Sequence, residues 1–310
     1  MSAITSGSAE SFGHGRPMRR SSYPVELAQQ VDAYLEGLTF SLEPGTARLE
    51  EAMRHSLLAG GKRIRPVLAL ATAEALGRRP EDVLPFAAAI EMIHTYSLIH
   101  DDLPVMDDDD MRRGKPTCHV VYGEDVAILA GDGLYAEAFR VILTEQAGEP
   151  AAVLAAAREL ATATGVAGMV GGQYIDVAAT APEGAGGLRH LHELKTGRLI
   201  AACVGCVLAL AGREQPATIA FRRFASELGV LFQIVDDILD VTAPEADLGK
   251  PRGSDQRHGR RTYVSEFGLD GARSLAAESH AQARAALAQA APAGAAELEQ
   301  ITDFVCTRTS

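Results

Sequence analysis

Tryptophan is absent from this 310-residue chain, aromatic residues make up only 5% of it, and cysteine occurs four times. The thiols Cys118, Cys203, Cys206 and Cys306 make no secreted-type disulfide framework and fit a reducing cytoplasm. Cys203 and Cys206 have C-x-x-C spacing, but they sit in the apolar segment 199–211 with no second ligand pair. They read as buried core thiols rather than a zinc or redox site. That segment is too short to cross a bilayer and reads as a core helix. Residues 1–22 mix Ser, Gly and Arg without an apolar stretch, which argues against a secretory signal and for a flexible tail. Basic residues are outnumbered by acidic ones, 29 to 41, giving a net charge of −12. Nucleic acid and anionic membrane surfaces are thereby disfavoured as main partners, and no stable membrane insertion is expected. An anionic small substrate is still admissible where metals and a local basic cluster reverse the field.

Strand-like alternation of β-branched residues is also missing, and alanine is abundant. From Tyr23 onward the pattern is helical. Val25, Leu27, Val31, Tyr34, Leu35 and Leu38 form one apolar stripe, and further helices are predicted over 46–59, 66–76, 82–103, 125–147, 151–164, 188–211, 217–241, 272–290 and 295–308. Gly and Pro mark the connections at 77–80, 148–150, 168–172 and 181–187. None is long enough for an interdomain linker, and no fixed-period repeat appears. The prediction is a single all-α domain over 23–310, a large helix bundle.

One run stands apart. From His100 to Gly114, six carboxylates (Asp101, Asp102 and Asp107 to Asp110) are followed at once by Arg112 and Arg113. Clustered Asp repels itself and is poor helix material, so it needs cations or solvent. Two arginines cannot neutralise six acids. Mg²⁺ supplies the missing charge naturally, because it takes one or two carboxylates and leaves positions for substrate phosphates. An Arg beside it suggests an anion arriving with the metal. Taken alone, the run reads equally well as a solvated acidic loop.

A second acidic group decides between these readings. Asp236, Asp237 and Asp240 lie in a helix otherwise made of Leu231, Phe232, Ile234, Ile238 and Leu239. Asp236 and Asp240 are one turn apart and share a face, and buried there they would be costly without a cation. Two acidic helix faces opposed across a bundle can hold several Mg²⁺ ions between them. The third element is basic. Lys62 and Arg65 follow the Gly60-Gly61 turn, where backbone N–H groups and cations can converge on phosphate. Arg112, Arg113, Lys195 and Lys250 add charge. Each reads singly as a surface residue; together they outline a site for two phosphorylated ligands, one bridged by metal and one held by Lys and Arg alone.

These segments, GGKRIRP, HTYSLIHDDLPVMDDDDMRRGKPTCH, GMVGGQYIDV, HELKTG, FQIVDDILDV and DLGKPRGSDQRHGRRTY, closely resemble the trans-isoprenyl diphosphate synthases, and among them the bacterial farnesyl diphosphate synthases. The resemblance implies antiparallel helices around a deep central cavity, a homodimer, and Mg²⁺-dependent condensation of an allylic diphosphate with isopentenyl diphosphate. Three Mg²⁺ ions are implied, with Mn²⁺ as a substitute. Carried over position by position, Asp101, Asp102 and Asp107 form the first metal motif. Asp236 is the principal ligand of the second, supported by Asp237 and Asp240. Arg112, Lys195 and Lys250 are implied to hold the allylic diphosphate. Lys62, Arg65, His94 and Arg113 are implied for the metal-free isopentenyl diphosphate site, and Thr196 and Gln233 for the cation's path. Arg260 stands where relatives commonly carry Lys and is not counted as a ligand, because the two cations differ in geometry. Read from the residues alone, His94 could equally be a satisfied core histidine.

The implied chemistry is ionisation of the allylic C–O bond, attack by the alkene on the carbocation, and proton loss to the departing pyrophosphate. A dry apolar pocket must guard the cation. Tyr96, with Ser97 beside it, lies in the helix entering the first motif. It stands five residues before Asp101, about 7.5 Å down the axis at 1.5 Å per residue. Its ring either floors the product cavity or packs as an ordinary core aromatic. A large residue there is implied to go with a fifteen-carbon product. The alternatives are a geranylgeranyl diphosphate synthase, a class I terpene cyclase, which would want a different second metal motif, and a non-catalytic subunit of a hetero-oligomeric synthase.

Overall fold

The computed structural model describes residues 23–212, 217–243 and 259–308. Lys250 and the tail expected over 1–22 lie outside the described residues. In chain order the helices are α1 (Val25–Gly37), α2 (Ala47–Leu57), α3 (Ile64–Ala75), α4 (Leu84–Asp101), α5 (Cys118–Tyr122), α6 (Glu124–Glu145), α7 (Pro150–Thr164), α8 (Met169–Val177), α9 (Gly184–His192), α10 (Arg198–Leu210), α11 (Ala217–Thr242), α12 (Tyr263–Ala290) and α13 (Ala296–Thr307). Two of them are apolar all round and therefore central. Residues 86–93 of α4 are consecutively buried, as are 202–208 of α10. Around them α6 packs on α4, α3 and α7 on α10, and α12 on α11. The buried apolar residues form one continuous cluster from Leu27 to Val305.

Cys203 and Cys206 are buried free thiols within α10, as the apolar segment suggested. Among the described residues, Pro150–Val177 is the one stretch long and apolar enough to cross a membrane. A third of its apolar window is buried, and on α7 Val153, Ala156, Ala157, Leu160 and Ala163 form the inward face, packed chiefly against α10.

Four local departures from the sequence pattern matter for the site. Residues 168–172, expected as a connection, open α8. The helix expected over 188–211 is interrupted by a π-helical turn, Glu193–Gly197. A helix expected to begin at 272 begins at Tyr263, capped reciprocally by Thr262 and Ser265 and kinked at Gly268. Finally, a small antiparallel hairpin, β1 (Met111–Arg112) with β2 (Lys115–Pro116), follows the acidic run.

Candidate active site

The ends of α3, α4 and α11 and the π-turn surround one cavity of ≈ 1020 Å³. Asp101, the last residue of α4, lines it. Behind Asp101 the chain curls back on the helix end. The Asp107 N–H donates to the Asp101 carbonyl at 2.9 Å and the Asp108 N–H to the Leu103 carbonyl at 3.1 Å. This curl brings Asp107 into the cavity wall beside Asp101. Asp102 turns the other way. It is buried against Arg112, whose Nε donates to its Oδ1 at 2.5 Å, and it does not line the main cavity. Burial pushes the Asp102 carboxyl up to about 6 despite Arg112. Burial likewise raises Asp101, with Lys195 opposing and Asp107 reinforcing.

The hairpin separates the two arginines. Arg113 and Gly114 both have positive φ, 52° and 73°, the left-handed pair that a tight two-residue hairpin turn requires. Arg112 therefore faces Asp102 and Asp109, while Arg113 points to the opposite end of the cavity. There its NH1 donates to the Gly60 carbonyl at 2.6 Å.

Lys195 and Thr196 enter the cavity because of the π-turn, a distortion that often marks functional sites. The turn is pinched between glycines. A Cβ on Gly172 of α8 would lie 2.3 Å from the Lys195 nitrogen, and one on Gly229 of α11 would lie 3.1 Å from Gly197 Cα. Thr196 Oγ1 donates to Gln233 Oε1 at 2.7 Å, and Gln233 Nε2 donates to Asp237 Oδ1 at 2.7 Å. Asp237 Oδ2 accepts from the Tyr263 N–H at 2.7 Å. Asp237 is thus a buried anchor that orients Gln233. Asp236, by contrast, lies more than half exposed and lines the cavity together with the buried Asp240.

At the basic end, Lys62 and Arg65 flank the start of α3. Arg65 is half-buried, with its guanidinium 3.2 Å from His94 Nε2 and stacked over Phe232 at 5.3 Å. Burial and the neighbouring Arg65 and Arg113 push His94 well below the usual imidazole range, so it is neutral and accepts from Arg65. Tyr96 lines the cavity one turn above His100. It makes edge contacts with His100 at 5.6 Å and Tyr135 at 5.0 Å, and Ser97 lies beside it in the cavity wall.

Several site residues carried no role in the sequence reading. Gln173 Nε2 donates to Asp101 Oδ1 at 2.6 Å, and Lys195 Nζ donates to Asp176 Oδ2 at 2.6 Å, both from α8. Their signal was the segment 168–177, part of the resemblance but given no chemistry. Arg260 donates to Asp107 and lies 3.6 Å from Asp176, so this arginine does reach the acidic wall. Arg308 stacks on Phe232 at 4.1 Å and sits 3.8 Å from Asp236. Nothing in the composition of α13 announces it.

Two acidic walls facing one cavity, with a separate cluster of Lys and Arg at its other end, describe a site with the charge pattern of an enzyme for anionic small molecules in an apolar helical bundle. The sequence matches the polyprenyl synthetase family over residues 46–304. It is 45% identical to a farnesyl diphosphate synthase of Geobacillus stearothermophilus, covering 91% of this chain and 96% of that protein. It is 43% identical to a chloroplastic geranylgeranyl pyrophosphate synthase of Capsicum annuum, covering 94% and 79%. The fold superposes on a Helicobacter pylori geranyltransferase complexed with magnesium and isoprenyl diphosphate. The TM-score is 0.82 at 31% identity, over 95% of this chain and 99% of that one. The chain belongs to the polyprenyl synthetase family.

Proposed function

We propose that the protein condenses isopentenyl diphosphate with dimethylallyl and then geranyl diphosphate, releasing pyrophosphate and yielding all-trans farnesyl diphosphate. It acts within one helical domain from residue 23 onward, as a soluble cytoplasmic homodimer. The observation that carries this reading is the division of a single cavity into an acidic end and a basic end.

Mg²⁺ fits the acidic end by its donor set. Asp101, Asp107, Asp236 and Asp240 line the cavity and offer only hard oxygen ligands. Mg²⁺ takes one or two such carboxylates and completes its shell with substrate phosphates and water. Three ions are proposed, with Mn²⁺ able to substitute. When bound, the metal neutralises the charge that develops on the leaving diphosphate. Asp102 acts through Arg112, holding it toward the same diphosphate. Lys195 and Lys250 are assigned to that diphosphate too, and Arg260 is added to them. Lys62, Arg65, Arg113 and neutral His94 are assigned to isopentenyl diphosphate, with the His94 ring as a polar wall that adds no charge.

Thr196 and the oriented Gln233 present fixed dipoles along the path of the carbocation. Dipoles that need no reorganisation at the moment of bond cleavage lower that barrier, each 1.36 kcal/mol being about tenfold in rate. The proton lost after coupling goes to the released pyrophosphate. No side-chain nucleophile is required. Tyr96, backed by Tyr135, limits the chain to fifteen carbons.

The homodimer is supported by α5 and α6. They expose Val120, Val121, Ile128 and Leu129, an apolar patch of the kind that a second copy covers, and Ile128 also lines the cavity. The test is incubation of purified protein with Mg²⁺, isopentenyl diphosphate and each allylic primer, followed by sizing of the dephosphorylated products. Farnesol is expected. Geranylgeraniol would replace the chain-length assignment. A terpene released without isopentenyl diphosphate, or no product from any primer, would overturn the reading.

A further inference from the structure

We infer that Glu91, a carboxylate outside the substrate-contacting set, is the positioning residue of the metal-free diphosphate end. It sits on α4, fully buried where that helix is otherwise apolar. Its Oε1 accepts from Arg63 NH1 at 2.7 Å and lies 3.8 Å from Arg113 NH2. Arg63 is itself buried, although it stands in the middle of the basic turn. Its φ is +51°, a left-handed conformation that a non-glycine residue adopts only under constraint. Three contacts over-determine it: Glu91, Asp32 Oδ1 at 2.8 Å and the Leu57 carbonyl at 2.8 Å. Arg63 is therefore held by the protein even where it borders the cavity, and its inward turn leaves Lys62 and Arg65 on either side of it facing the cavity.

A buried carboxylate facing several guanidinium groups has a physical consequence. Arg63, Arg65 and Arg113 repel one another at close range, and without an internal anion they would separate or draw in water. Glu91 supplies that anion from the buried wall of the cavity, so the guanidinium groups stay converged before any diphosphate arrives. Such preorganisation lowers the cost of binding.

This inference rests on the assignment of isopentenyl diphosphate to that end, and the experiment separates the two. Steady-state kinetics of Glu91→Gln are compared with those of Arg65→Ala, and binding of isopentenyl diphosphate in magnesium-free buffer is measured by calorimetry. For Glu91→Gln the KM for isopentenyl diphosphate is expected to rise about tenfold, the size typical of removing a group that orients a ligand-holding residue. The kcat and the allylic KM are expected to stay within about twofold. Glu91→Asp, which keeps the charge, is expected to recover part of the loss. An unchanged or lowered KM, or equal losses for both substrates, would overturn the role of Glu91 while the Arg65→Ala effect stands. An Arg65→Ala variant with unaltered KM would overturn the pocket assignment and the inference with it. Should Glu91→Gln not fold, Asp32→Asn, at the exposed end of the same Arg63 network, decides. A selective rise in the same KM supports the role, and no change overturns it.

Discussion

The two ends of the cavity carry opposite charge, and they hold it in different ways. At the basic end the counter-charge is already paired within the protein: the buried Glu91, which reaches the cavity wall, and Asp32 both hold Arg63, and neutral His94 accepts from Arg65. At the acidic end the partners lie in the cavity itself. Arg260 holds Asp107, Lys195 holds Asp176, Gln173 holds Asp101, and Arg308 approaches Asp236. These partners are the groups that a metal-bridged diphosphate would engage. On the proposed assignment, one end receives its ligand as it stands, and the other exchanges internal ion pairs for metal and phosphate. The largest effect should therefore come from metal removal. Chelation is expected to abolish turnover and allylic diphosphate binding while isopentenyl diphosphate binding, followed by calorimetry, changes little. Equal loss at both ends would erase the distinction.

Next in size is the first acidic wall. Asp101→Asn keeps the shape and the Gln173 contact but removes a charge assigned above to the metal. Turnover should fall by about 10²- to 10³-fold, on the scale of losing one preorganised electrostatic group. Asp102→Asn tests the opposite orientation of its neighbour. Because Asp102 meets Arg112 rather than the cavity, its loss should show mainly in the allylic KM, with a smaller loss of kcat. A kcat loss as large as that of Asp101→Asn would mean that both carboxylates serve the metal.

Much of this arrangement was legible in the sequence, and the reasons are specific. Six acids ahead of two arginines fit either a solvated loop or a site with outside charge, and Asp236 and Asp240 on an apolar helix decided for the site, so the acidic walls could be read from the two groups taken together. Helices carried by strong apolar periodicity, such as α3, α7 and α11, also fell where expected. What periodicity could not show was the irregular backbone that aims the side chains. The π-turn at Lys195 depends on Gly172 and Gly229 approaching from two other helices. The hairpin at Arg113-Gly114 is two residues per strand, too short for any alternating pattern. Gln173 and Asp176 were hidden because a Gly-rich stretch was expected to connect elements, whereas here the missing side chains let α8 pack against the π-turn. Arg308 enters from the far end of the chain, where only the tertiary fold brings it near Asp236.

At the apolar floor, Tyr96 rests on Tyr135, which in turn meets Phe139 at 5.4 Å. Tyr96→Ala should open space for another isoprene unit and shift the product toward twenty carbons, seen by chromatography of the dephosphorylated products. The backing ring of Tyr135 should keep the shift partial, with Tyr96→Ala/Tyr135→Ala extending it further. An unchanged product distribution would make Tyr96 a packing residue.

The smallest effect belongs to the basic end and follows from keeping His94 neutral. Its folded pKa lies well below the ordinary 6.5 because of burial and the surrounding arginines. As pH falls through 6.5, the unfolded chain takes up a proton at this position that the folded chain refuses. Stability of the ligand-free protein therefore declines, by up to about 1.4 kcal/mol per pH unit for one such group. Above 6.5 both states are neutral and the contribution vanishes. His94→Gln keeps an acceptor for Arg65 without a titrating ring. In urea melts the variant should lose less stability than the parent between pH 6.5 and 5.5, while the two change alike between 7 and 8. Parallel losses below pH 6.5 would place a charged imidazole beside Arg65 and remove the neutral wall from the basic end.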